Sequence, residues 1–118
     1  MMSDPISTTD KNGWQFRAAE VLTALIEDGL KAQRHPLDWT ITSSGTLRGE
    51  VSALDRLSDA DRRAVYEEWL RVLNAGRPRE SRQMSGGMRL IAPFTRPTNR
   101  GDVTGSISLH IDPAGDEA

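Results

Sequence analysis

Residues 37–53, Leu-Asp-Trp-Thr-Ile-Thr-Ser-Ser-Gly-Thr-Leu-Arg-Gly-Glu-Val-Ser-Ala, constrain the chain more than any other stretch, because they fit a β-hairpin in only one register. Side chains alternate between the faces of a strand, so Leu37, Trp39 and Ile41 share one face, as do Leu47, Gly49, Val51 and Ala53. A two-residue loop at Ser44-Gly45 sets Ile41 opposite Arg48 and mixes apolar with charged groups. A three-residue loop, Ser43-Ser44-Gly45, sets Ile41 opposite Leu47, Trp39 opposite Gly49 and Leu37 opposite Val51. It also brings Gly45 to the left-handed position such a loop needs. Only this register keeps one face apolar, and a slip by one residue turns that face to water. Trp39 then lies across Gly49, where no side chain blocks its ring.

An apolar hairpin face needs a cover, and two helical patterns supply it. Asn12 is an acceptable N-cap with Gln15 as its capping-box partner. Trp14, Ala18, Val21, Leu22, Leu25 and Ile26 then follow the helical period, and Gly29 suits a helix end; the first helix is predicted over 13–29. Ser58 with Asp61 marks a second start. Ala64, Val65, Trp69, Val72 and Leu73 form its stripe, Arg62, Arg63, Glu67, Glu68 and Arg71 take the opposite side, and Gly76 and Pro78 end it; the second helix is predicted over 59–75. Beyond Pro78, Met88, Leu90 and Ala92 predict a third strand that stops near Pro93. Residues 95–102 read as a long loop, and Val103, Gly105, Ile107, Leu109 and Ile111 alternate as a fourth strand.

The expected fold is α+β: one small domain over 13–112, ordered α-β-β-α-β-β, with a four-stranded antiparallel sheet carrying both helices on one face. Leu47-x-Gly49-x-Val51-x-Ala53 echoes Val103-x-Gly105-x-Ile107-x-Leu109, the trace an αββ duplication would leave. Residues 1–12 and the acidic end, 113–118, read as disordered tails. The other sheet face, with Thr40, Thr42, Arg48, Glu50, Thr104, Ser106, Ser108 and His110, is polar.

With 118 residues the chain holds one ordinary domain, and 36% hydrophobic content gives it a modest core. The lack of Cys excludes disulfides, thiolate metal sites and cysteine nucleophiles, and fits a reducing, cytoplasmic setting. No apolar run approaches the roughly 18–20 residues of a membrane span. The net charge of −2 conceals a segregation. Residues 1–76 carry nine Lys/Arg against twelve Asp/Glu, residues 77–101 six Arg against Glu80 alone, and residues 102–118 four acids and no Lys or Arg.

Trp39-Thr40-Ile41 before a glycine turn, Arg62-Arg63-Ala64-x-Tyr66-Glu67-Glu68-Trp69 and the Gly86-Gly87 pair resemble a family of small actinobacterial and actinophage-type proteins. The resemblance spans about residues 14–111, is looser in the second half, and implies no activity, cofactor or site residue.

The chemistry is sparse. His35 and His110 are far apart in sequence, so no metal-ligand cluster forms, and no cofactor is expected. His110 and Asp112 share a strand face two residues apart and could orient a proton-transferring imidazole, the weakest functional reading. Ser85-Gly86-Gly87 lacks the glycine that a nucleophile elbow has two places before its serine, and no glycine-rich turn cradles phosphate. Trp14, Trp39 and Trp69 all fall on apolar faces. The one segment that points to a partner is Arg77, Arg79, Arg82, Arg89, Arg96 and Arg100, with Phe94 among them as a side chain able to stack or anchor. The expectation is a non-enzymatic interaction module, binding another protein or itself. The alternative is a nucleic-acid accessory protein acting through 77–100, against which the acidic pI of about 5.6 counts.

Overall fold

The computed structural model describes residues 7–52, 56–84 and 86–111. The elements are α1 (Thr8–Ala32), β1 (Asp38–Ile41), β2 (Leu47–Glu50), α2 (Asp59–Leu73), β3 (Arg79–Arg82), β4 (Met88–Thr98) and β5 (Gly101–Ile111). The five strands form one sheet in the order β1-β2-β5-β4-β3. The class is α+β, but the sheet is mixed and five-stranded rather than antiparallel and four-stranded. β2 runs parallel to β5, with Leu47 beside Gly105 and Glu50 beside Ser108, and the other three pairings are antiparallel.

The first hairpin forms in the apolar register. Trp39 pairs with Gly49 and Ile41 with Leu47. Gly45 takes a φ of 80°, and its N–H donates to the Thr42 carbonyl at 3.0 Å. The loop is held from both sides, since Thr42 N–H donates to Thr46 O at 2.9 Å and Gln15 Nε2 on α1 donates to Thr42 O at 3.0 Å. A Cβ on Gly49 would lie 2.9 Å from the Trp39 ring, so the indole needs that glycine. The same device recurs next door, where Phe94 pairs with Gly105 and its ring occupies the space a Cβ there would take. Trp39 and Phe94 meet edge to face, ring centroids 6.3 Å apart.

Both helices exceed or shift from their sequence patterns at identifiable residues. Helix α1 starts at Thr8 because the Ser7 hydroxyl accepts from Asp10 N–H at 3.0 Å, which makes residues 8–12 helical instead of loose. It runs past Gly29, buried beside Trp69 and Arg34, and ends at Gln33 in the left-handed conformation. Ser58 caps α2 as expected, accepting from Asp61 N–H at 3.1 Å, but Asn74 rather than Gly76 terminates it. Gly76 N–H instead donates to Pro93 O at 2.8 Å.

The buried residues of α2 are Arg62, Tyr66, Trp69 and Leu73; of the expected stripe Trp69 and Leu73 face the core and Val65 and Val72 pack against it, whereas Ala64 is exposed. Arg62 is thus buried where a solvent-facing residue was expected; its Nη1 lies 3.6 Å from Asp59 Oδ1, while its Nε and Nη2 are buried without a hydrogen-bond partner among the described residues. Tyr66 donates its hydroxyl to Ile107 O at 3.0 Å, and burial pushes its pKa up to about 12.

The second half departs furthest from expectation. Strand β4 continues through Pro93 and Pro97 to Thr98, and the expected loop at 95–102 is a tight turn, with Thr98 paired to Gly101. Proline is tolerated because β3 covers β4 only from Met88 to Ile91, leaving the rest of that side an edge. The bond from Gly76 to Pro93 O lies on that open side, so the missing proline N–H is not a missing sheet bond. The polar run Arg79-Glu80-Ser81-Arg82 becomes the exposed edge strand β3, joined to β4 by a turn in which Gln83 N–H donates to Gly87 O at 2.8 Å. The core, with Leu47, Tyr66, Trp69, Leu73, Ala92, Phe94, Ile107 and Leu109, lies between the sheet and the helices.

Candidate functional site

The arginine segment does not converge. Arg77 is exposed in the link after α2, and Arg79 and Arg82 are exposed on edge strand β3. Arg89, half-buried on the helix-free face of β4, reaches Ser108 Oγ with Nη2 at 3.4 Å. Arg96 has the opposite parity on β4 and lines a hollow on the helix side with Val21, Asp28 and Val72. Arg100, in the β4–β5 turn, joins Arg17 and Glu20 of α1 beside a separate hollow. Eleven extended residues measure about 35 Å, so β4 places Arg89 and Arg96–Arg100 near opposite ends and on different faces. Phe94 is 4% exposed in the core, which takes its ring off any contact surface. His110 lies half-buried beside Gly87 and opposite Arg89; its proposed companion Asp112 is outside the described residues.

The structure brings together a different set. Exposed large apolar side chains among the described residues are Phe16, Ile26, Leu30 and Met84. Ile26 (53% exposed) and Leu30 (78%) stand one turn apart on the last part of α1, at the rim of a groove of about 320 Å³. Ile26 was expected to face the core; the helix instead turns Leu25 and Gly29 inward. Pro36 and Leu37 form the far wall, and Trp39 and Trp69 also line the groove. The size is at the lower end for ligand pockets, and the lining is mainly apolar.

Each wall is fixed by a named contact. The two indoles meet edge to face with centroids 5.8 Å apart. Trp69 Nε1–H donates to His35 O at 2.8 Å, tying α2 to the connector between α1 and β1. Arg34 lies over the Trp69 ring at 5.1 Å, with Nη1 on Asp28 at 3.0 Å and Nε 3.5 Å from Glu68. One buried guanidinium thus stands between two partly exposed carboxylates. Sequence missed the site because its residues come from four segments, and the period that assigned Ile26 to the core does not define the phase of a helix ending. The hint available was the run Leu25-Ile26 with Leu30, too many apolar residues for one narrow stripe.

Compared with known proteins, the chain matches no family model, no curated protein and no solved structure. No helix among the described residues is long and apolar enough to cross a membrane, and none of their His, Asp and Glu side chains cluster as a metal site.

Proposed function

We propose that the chain is a non-enzymatic protein-interaction module that receives an apolar segment of a partner, another protein or a second copy, in the groove beside Ile26 and Leu30. The supporting observation is the pairing of exposed aliphatic side chains with a rigid, two-indole concavity. Phe16 and Met84 are also exposed but do not line this groove. Contiguous exposed apolar surface at a hollow is the usual mark of a docking site, and aromatic pockets concentrate binding energy.

The test compares wild type with Ile26→Lys/Leu30→Lys in sedimentation equilibrium and in affinity co-purification. The reading predicts that the double variant folds normally and loses self-association or its co-purifying protein. Retention of every partner by the folded double variant would contradict it.

The second reading, nucleic-acid binding, is supported by the exposure of Arg77 in the link after α2 and of Arg79 and Arg82 on edge strand β3. It predicts salt-sensitive binding of duplex or single-stranded DNA that disappears in Arg79→Glu/Arg82→Glu, and no binding at about 50 mM salt excludes it.

A further inference from the structure

The groove beside Ile26 and Leu30 borders an edge of the sheet that has room for another strand. Strand β1 is outermost in the order β1-β2-β5-β4-β3, with β2 on its inner side. Thr42 N–H closes the hairpin ladder on Thr46 O. The alternation of an antiparallel pair then turns Thr40 toward β2, and the N–H and C=O of Trp39 and Ile41 outward. Among the described residues no hydrogen bond reaches those outward groups.

The opposite edge is closed by its sequence. Strand β3 presents Arg79, Glu80 and Arg82, and the stretch of β4 beyond it carries Pro93 and Pro97, which have no N–H to offer. Strand β1, Asp38-Trp39-Thr40-Ile41, has one charge and no proline.

The occupant is identified by what β1 matches, which is itself. Antiparallel to a second copy and centred on Thr40, it sets Thr40 opposite Thr40, Trp39 opposite Ile41 and Asp38 opposite Thr42. Trp39 and Ile41 then exchange both outward hydrogen bonds, and Thr–Thr and aromatic–β-branched pairs are favourable cross-strand neighbours. Centred on Asp38, the strands would oppose two carboxylates. Centred on Trp39, they would oppose two indoles, each already fixed against Gly49 and Trp69. Centred on Thr40, Ile41 of the second copy comes down beside Trp39 on the helix side, where Trp39, Ile26 and Leu30 line the groove.

We infer that the occupant of the groove is a second copy of this chain, added strand to strand at β1, with Ile41 of each copy in the groove of the other. This rests on the docking reading above and names its partner. Residues 36–43 extend about 25 Å and the sheet and helix layers together stand about 20 Å high, so each copy offers roughly 500 Å². The total of about 1,000 Å² is the lower limit for a specific interface, so the dimer should be reversible.

The chain has no cysteine, which makes the contact testable by single substitutions. Thr40 is exposed, and non-hydrogen-bonded partners in antiparallel strands stand about 4.5 Å apart at Cα, within disulfide reach. Under air oxidation Thr40→Cys should form a disulfide-linked dimer at least roughly ten-fold faster than Glu80→Cys on the β3 edge. Sedimentation equilibrium should show a concentration-dependent dimer of the wild type, at least roughly ten-fold weaker in Thr40→Asp. That variant opposes two carboxylates in the dimer but sits beside Arg48 within the folded chain. A chain that is monomeric up to roughly 1 mM, or Thr40→Cys linking no faster than Glu80→Cys, overturns the inference. If such a monomer still loses a co-purifying protein through Ile26→Lys/Leu30→Lys, the groove reading survives and the second copy does not.

Discussion

Trp39 and Trp69 meet edge to face, with centroids 5.8 Å apart and planes at 76°, and this contact joins the first hairpin to α2. Trp39 is seated on Gly49, and Trp69 is held by the His35 carbonyl, so the groove they line exists before any partner arrives. Preformed walls reduce the ordering cost of binding. Floor and rim should therefore separate by mutation. Trp69→Ala is expected to lose about 3–5 kcal/mol of stability, whereas Leu30→Lys should stay within about 0.5 kcal/mol of wild type. Urea unfolding followed by circular dichroism measures both.

The two aromatic-on-glycine pairs give a second prediction. A methyl group at Gly49 meets side-chain atoms of Trp39 and Leu37, while one at Gly105 meets both the Phe94 ring and the Leu47 carbonyl. Overpacking costs about 1–3 kcal/mol, and Gly105→Ala should fall toward the upper end because a sheet backbone cannot move aside. Equal urea midpoints for Gly105→Ala and wild type would show that the ring is not held there.

Gln33 ends α1 with φ 55° and ψ 41°, a conformation that side chains other than Gly and Asn adopt at a cost. Gln33→Gly should stabilise the chain by about 0.5–1 kcal/mol. Asn74→Gly, at the equivalent end of α2, should gain less, since asparagine tolerates that region. Thermal unfolding of the two variants provides the comparison.

Tyr66 predicts an alkaline limit. Its pKa is raised from 10.0 to about 12 by burial, so the folded state holds the phenolic proton more tightly than the unfolded state. The associated stability is complete below pH 10, and is lost as pH climbs through the interval up to about 12. Tyr66→Phe removes the hydrogen bond to Ile107 and should cost about 1 kcal/mol at neutral pH, while flattening the decline above pH 10.

The hairpin register was legible because a period of two admits only one apolar pairing, and Gly45 and Gly49 each met a demand that other residues fail. The α+β class followed from two helical periods among the strands. What escaped were features decided by neighbours. β3 has no apolar alternation, since as an exposed edge it needs charge rather than burial. β4 passes through Pro93 and Pro97, which argue against a central strand, and only the short length of β3 makes that side an edge. Arg62 and Ile26 exchanged their expected surroundings because helix phase is set by the whole packed face. The arginine segment was visible as composition, but strand parity divides Arg89 from Arg96, which no count reveals.

The groove is tested most directly by a photo-crosslinking amino acid placed at position 30, with matched probes at Arg82 on the β3 edge and at exposed Thr23 on α1. The account predicts a discrete adduct, to one protein or to a second copy of the chain, from position 30 and none from the other two. An adduct from position 82 with none from position 30 would contradict it and move the binding surface to the arginine edge.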